Sequence, residues 1–256
     1  MSFANKKSKI YPVVLIVLIF SLWEGLVLFF DIPEYLVPRP SVIFLRLIER
    51  FTFLLPHLWV TTFESGLGFV FGSIFGVILA ISFTYSKTLE HSLYPYTIAL
   101  KSVPIVAIVP LLIVWFGNGT APKIIVSAII AFFPVVVNMT RGLTDIEREA
   151  FDVFNSLSAT PLQIFLKLRL ISSLPYLFSA LKMSATLAVT GAIVGEFAGS
   201  DKGLGYFIII SSRRFETVDM FVGIILSSLL GILFFYTIVI IEKVFVPWGK
   251  YTIINR

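Results

Sequence analysis

Two stretches of the chain, Ser65 to Ser86 and Met220 to Ile241, contain no charged residue. Each is long enough to cross the hydrocarbon layer of a bilayer as a helix, which takes about 20 predominantly apolar residues. A soluble core built from 256 residues cannot hide several such segments. Composition agrees with this: 57% of residues are apolar, only 14% are charged, and the mean hydropathy is +0.96. An ordinary soluble domain carries roughly 25% charged residues. A water-soluble globular enzyme and a disordered chain are both excluded, and the chain reads as an integral membrane protein.

The same criterion gives six spans, at about 10–30, 65–86, 92–116, 124–140, 174–197 and 220–241, within a single transmembrane domain covering 1–256. Lys6, Lys7 and Lys9 before the first apolar run look like the start of a signal peptide. No small-residue cleavage site follows, and the run continues through Trp23-Glu24-Gly25, so a retained first helix is expected. An even number of spans places both termini on one side of an all-α bundle. With the N-terminus inside, the inner segments carry Lys6, Lys7, Lys9, Lys87, Arg141, Arg148, Lys167, Arg169, Lys182, Lys243, Lys250 and Arg256, and the outer ones carry fewer cations. The positive-inside rule therefore favours N-in and C-in. Trp23, Trp59, Trp115 and Trp248 fall near span ends, as interfacial anchors do.

Within the second span, Gly68, Gly72 and Gly76 recur every four residues and line one helix face, which lets another helix approach closely. The third span holds Pro104 and Pro110, each of which removes a backbone donor and bends a helix. Bent helices line transport pathways and are also common in membrane bundles generally, so both readings stay open. Lys101 and Glu196 are the ionisable residues expected at membrane depth. Lys101 attracts an anionic solute on one reading and snorkels to the inner surface on the other. Glu196 has Lys202, Arg213 and Arg214 as candidate partners, or is an ordinary interfacial carboxylate. Glu64 reads as exposed at the outer end of its span, and His57 and His91 read as interfacial rather than metal ligands. The chain has no cysteine, so disulfides, thiolate metal sites and Cys nucleophiles are excluded. Ser211-Ser212 has no base nearby in sequence, and no basic cluster points to nucleic acid.

The most informative stretch is the inner loop 141–175 between spans four and five. Ile146, Ala150, Phe154 and Leu157 fall at helical spacing. Thr160 with Gln163 three residues on forms a capping box, and Pro161 suits the first position of a second short helix carrying Leu162, Phe165, Leu166 and Leu170. A helix–turn–helix at the membrane surface is a docking surface. With its flanks, this loop resembles the coupling segment of ABC importer permeases, whose consensus is E-A-A, three residues, Gly, nine residues, then I-x-L-P. Asp152-Val153-Phe154, Ser158 and Leu168-Arg169-Leu170-Ile171 occupy the corresponding positions, and Ala159 and Thr160 complete the turn. Ser158 stands where the consensus has Gly, which carries a backbone cost if the position needs positive φ.

Other stretches are collinear with the nitrate/sulfonate/taurine-type permeases. They are Ile32 to Pro40, Pro104 to Leu111, Trp115 to Gly119, Phe133-Pro134-Val135 and Gly203 to Tyr206, and Glu196 sits where that family has an acidic residue. The resemblance implies the type I importer permease fold and a multi-pass protein of the bacterial cytoplasmic membrane. It implies a pathway formed with a second copy or a paralogous permease, cytoplasmic ATPase subunits that use ATP and Mg, and an external substrate-binding protein. The implied cargo is a sulfonate, nitrate, taurine or a pyrimidine-like vitamin precursor. No phosphate-binding G-x-x-x-x-G-K-[ST] motif occurs, so ATP hydrolysis belongs to a partner, no cofactor is expected on this chain and the chain is not itself an enzyme. An ion-coupled secondary transporter is the competing reading; it calls for intramembrane carboxylates.

Overall fold

The computed structural model describes residues 3–247, without the side chains of residues 3–10, Ile98, Leu100 and Lys101. Trp248, Lys250 and Arg256 therefore lie outside the described residues, as do the side chains of Lys6, Lys7 and Lys9. The helices are α1 (Phe3–Phe29), α2 (Pro40–Glu49), α3 (Phe51–Tyr85), α4 (Lys87–Lys101), α5 (Ile105–Phe116) and α6 (Thr120–Thr144). They continue with α7 (Arg148–Ser156), α8 (Pro161–Ile164), a π-helical turn (Phe165–Arg169), α9 (Leu170–Ala198), α10 (Leu204–Arg213) and α11 (Thr217–Phe245). Five helical stretches are long and apolar enough to cross a membrane: Tyr11–Phe29, Phe51–Tyr85, Thr120–Thr144, Pro161–Ala198 and Thr217–Phe245.

The order of contacts fixes the topology. Along α3, Gly68 meets Ser127, Gly72 meets Ala128 and Ala131, and Gly76 meets Val135, so α3 and α6 run in the same direction. Along α9, Gly195 meets Lys123, Gly191 meets Ser127 and the Ser184 hydroxyl donates to the Ala131 carbonyl at 2.7 Å, so α9 runs the opposite way. Two parallel helices in sequence require the chain to return between them, and α4 and α5 make that return. The expected continuous span 92–116 is thus two helices. Pro104 lacks an N–H and disfavours helical geometry in the residue before it, and it stands in extended conformation (φ −62°, ψ 106°) as the N-cap of α5.

Two further boundaries differ from expectation. The second span begins at Phe51 rather than Ser65, because Glu64 is not a boundary charge but a buried one. The second helix of the inner loop does not stop before span five. It runs through the π-helical turn into α9.

The close packing rests on small residues. A Cβ on Gly68 would lie 2.2 Å from Ser127 Oγ, and one on Gly72 would lie 2.4 Å from the Ala128 carbonyl oxygen, so nothing larger than glycine fits. α6 is held between α3 and α9, and its Ser127 hydroxyl donates to the Ala188 carbonyl at 2.8 Å. α11 packs antiparallel on α9, with Phe178 stacked on Phe245 near one end and Val189 and Leu226 in one core cluster further along. α1 joins from the side, its Trp23 against Phe221 of α11. The end of α11 and helix α7 therefore share one end of the molecule. The apolar side chains left exposed along α1, α3 and α11 form the surface that lipid covers.

Candidate functional site

At one end, α7 and α8 stand clear of the bundle, and none of their residues is buried. The turn between them is tightly specified. Ser158 adopts φ +53°, the left-handed region, and the Ala159 N–H donates to the Phe154 carbonyl at 3.0 Å while the Ser158 N–H donates to Asn155 at 2.9 Å. This pair of bonds is a Schellman cap, which normally has glycine in the left-handed position. α8 then opens with a reciprocal box: the Gln163 N–H donates to Thr160 Oγ1 at 3.3 Å, and the Thr160 N–H donates to Gln163 Oε1 at 2.8 Å.

Two faces result. Leu168 and Leu170 are half-buried, and Leu170 packs with Phe165 on Ala80, Met139 and Leu143, which anchors the turn to α3 and α6. Asp152 and Thr160 are exposed, and Phe154 and Ala159 are half-buried. Val153 (56% exposed), Leu157 (73%), Leu162 (62%) and Leu166 (48%) present apolar surface outward. Arg169, one of the inner cations, ties the parts together. Its guanidinium lies 5.0 Å over the Phe151 ring and donates to the Leu143 carbonyl at 3.1 Å. Tyr176 OH adds a 2.7 Å bond to Asp145 Oδ2.

The opposite end holds a polar knot inside the bundle. Glu64 of α3, Lys123 of α6 and Glu196 of α9 are each only 1% exposed. Glu196 does not pair with Lys202, Arg213 or Arg214. It accepts from Thr61 Oγ1 at 2.7 Å and from the Gly205 N–H. The Gly203–Gly205 turn folds back onto α9 and brings backbone donors closer than any of those cations. The Leu204 N–H donates to Thr61 Oγ1 at 2.8 Å, and the Gly203 N–H lies 3.1 Å from His57 Nδ1. Gly203 has φ +113°, and a Cβ there would sit 2.3 Å from the Glu196 carboxyl. Lys123 Nζ donates to the carbonyls of Asn118 (2.8 Å) and Gly119 (2.9 Å), closing the loop before α6. Glu64 and His57, read as exposed and interfacial, are thus buried parts of this knot. The missed signal was periodic: His57, Thr61 and Ser65 continue the Gly68–Gly72–Gly76 face upstream, and Lys123 begins the Ser127–Ala131–Val135 face.

Between the ends, a cleft of about 900 Å³ lies where α4 and α5 meet α3, α6 and α9. Gly72, Phe75, Tyr94, Thr97, Phe132, Phe133 and Asn138 line it with aliphatic neighbours. Pro104 sits at the helix break beside the lining residues Val103 and Ile105, and Pro110 is exposed on α5. Lys101 is the last residue of α4; its side chain lies outside the described ones. Among the described residues no group of acidic, His or Cys side chains could hold a metal ion.

Residues 72–248 match the sequence model of a family described as the binding-protein-dependent transport system inner membrane component. The formylaminopyrimidine transport permease protein ThiX of Halalkalibacterium halodurans is 32% identical over 93% of this chain and 96% of its own length. The riboflavin transport system permease protein RibX of Chloroflexus aurantiacus is 30% identical over 93% of this chain and 89% of its own. Among solved structures, a chain of the MetNI methionine ABC transporter in an inward-facing crystal form superposes with a TM-score of 0.66 at 19% identity. That match covers 75% of this chain and 95% of the other, and it shows a shared fold.

Proposed function

Because the chain belongs to the binding-protein-dependent transport system inner membrane components and is a multi-pass ABC importer permease for a small solute, we propose that α7 and the turn into α8 couple it to a separate ATPase. The observation that carries this is the exposed apolar strip of Val153, Leu157, Leu162 and Leu166 on a rigidly capped turn. Apolar side chains on a fixed, water-facing helix stabilise a complex when a groove desolvates them, and they serve no purpose in the isolated chain. On this reading the end carrying α7 is cytoplasmic, which puts the end of α11 there as well. ATP and Mg bind in the partner, and closure of the ATPase pair moves α7 against α6 and α9 through Arg169 and Leu170.

The opposite end, with the polar knot, then faces the binding protein that delivers the solute. A second copy or a paralogous permease completes the pathway along the cleft and the α4–α5 break. The names of ThiX and RibX favour a nitrogen heterocycle as cargo. Tyr94, Thr97 and Asn138 give the cleft uncharged hydrogen-bonding groups among aromatic faces, which suits such a ring.

The absence of native cysteine makes a direct test simple. In membranes containing the ATPase, a thiol-reactive cross-linker should join Val153→Cys and Leu157→Cys to the ATPase. Val14→Cys, on the lipid-facing side of α1, should give no product. Equal labelling at all three positions, or none at Val153 and Leu157, contradicts the assignment.

A further inference from the structure

At the end of the molecule away from α7, a cleft of about 330 Å³ lies between the last turns of α2, the loop residues Glu34 and Tyr35, and the first turn of α11. We propose that this cleft holds the phosphoethanolamine head group of a membrane phospholipid, with its phosphate on Arg46 and Arg50 and its ammonium on Asp219 and Glu216. The site shares no residue with the polar knot and stands whatever solute the protein carries.

The cleft sits where lipid head groups are. α2 has only 10 residues, about 15 Å of helix against a hydrocarbon layer of about 30 Å. On one side its Ile43 packs in a core cluster with Val222 and Leu226 of α11, and on another Phe44, Leu45 and Ile48 are exposed. A short helix that shows apolar side chains beside a membrane-spanning one lies along the interface. Arg46 and Arg50, one turn apart, reach instead to Asp219 at the start of α11. The walls are held in place: the Thr217 hydroxyl donates to the Tyr35 carbonyl at 2.7 Å, and Arg39 pairs with Glu34 at 3.0 Å.

Two groups on this cleft lack partners. Asp219 is only 3% exposed, and while its Oδ2 lies 2.6 Å from Arg50 Nη1, its Oδ1 receives no hydrogen bond. Arg46 Nε stands 3.8 Å from that oxygen and 4.0 Å from Glu49 Oε2, too far to donate to either. A buried acceptor without a donor costs free energy that a ligand recovers by supplying one. With Glu34 paired to Arg39, the charges left on the lining are Arg46 and Arg50 against Glu216 and Asp219. A plain anion would serve Arg46, yet it brings no strong donor for Oδ1 and tips the balance negative. A zwitterion with a phosphate and an N–H-bearing ammonium serves both and keeps the cleft neutral. Arg46 then shifts from Asp219 onto the phosphate and leaves Oδ1 to the ammonium. The choline head group has no N–H to give, so ethanolamine is selected. The apolar side of α2 carries the acyl chains.

The test is native mass spectrometry of the full chain in detergent, titrated with dioctanoyl phosphatidylethanolamine or dioctanoyl phosphatidylcholine. The wild type should bind one phosphatidylethanolamine about tenfold more tightly than phosphatidylcholine, the worth of one hydrogen bond between charged groups. Asp219→Asn keeps the shape but removes the acceptor pair and should erase that preference. Arg46→Gln, at a half-buried position, should weaken both lipids alike and keeps the test decisive if Asp219→Asn folds poorly. Free phosphoethanolamine at the same concentration should not displace the lipid, because it lacks the acyl chains. Equal binding of the two lipids, a preference that survives Asp219→Asn, unchanged binding in Arg46→Gln, or displacement by free phosphoethanolamine overturns the proposal. So do variants that keep the lipid preference but lose affinity for the binding protein, since the cleft is then a docking surface.

Discussion

The two ends of the bundle break the usual rule of burial in opposite directions. At the α7–α8 end, leucines and a valine stand in water (Leu157 is 73% exposed) on a turn fixed by a Schellman cap and a capping box. At the other end, two glutamates and a lysine are sealed among helices. The first misfit is inexpensive for the isolated chain and becomes favourable only when a partner covers it. The second is tolerable only because every neighbour is already in place, since an unpaired polar group in a water-free core costs several kcal/mol. One end is built to be completed by another molecule, and the other is completed by the chain itself.

Substitutions should therefore have opposite signatures at the two ends. The largest effect is expected from Glu196→Ala, which strips the buried Gly205 N–H and Thr61 hydroxyl of their acceptor. The loss should be about 3 kcal/mol or more, read as a lower unfolding temperature in nanodiscs and reduced yield of folded protein. Gly203→Val should approach the same result, since its Cβ would lie 2.3 Å from the Glu196 carboxyl in a backbone region that excludes β-branched residues. Wild-type stability in either variant would mean that the knot does not hold the turn.

At the other end the order reverses. The double change Val153→Asp with Leu157→Asp should leave the unfolding temperature within the noise, because exposed positions change stability by about 0.5 kcal/mol or less. It should weaken association with the ATPase by tenfold or more, at about 1 kcal/mol for each truncated contact, measured by co-purification. Smaller again is Ser158→Gly. Relieving a left-handed non-glycine residue should stabilise the turn by about 1 kcal/mol, seen as slower hydrogen exchange across residues 154–160 without loss of ATPase binding. The smallest shift is expected from Thr160→Ala, which gives up one cap at a cost of about 1 kcal/mol or less and should speed exchange at Gln163 alone.

The same contrast explains what could be read from the sequence. The coupling turn was legible because its signals are local: Thr160-Pro161 with Gln163 specifies a cap within four residues, and the expected strain at Ser158 appears as φ +53°. The long apolar helices were legible for the same reason. The knot was not, because its partners are far apart in sequence, 135 residues between Thr61 and Glu196 and 146 between His57 and Gly203. Treated singly, Glu64 looks like a span end and cuts α3 short by about two fifths of its length. Only the shared four-residue period of the His57 and Gly68 faces hinted that they continue one another. The break at Ser102–Pro104 was misjudged in degree: Pro104 was read as a bend, and the parallel course of α3 and α6 shows that it ends one helix and starts another.

Coupling through α7 is the central claim, and transport itself tests it most directly. The chain is reconstituted into proteoliposomes with its ATPase and binding protein, and uptake is followed with and without ATP for the wild type and for the Val153→Asp, Leu157→Asp double variant. The account predicts uptake that requires ATP in the wild type and vanishes in the double variant although that protein remains folded. Uptake that proceeds without ATP and follows an ion gradient, or that survives the double substitution unchanged, would contradict it.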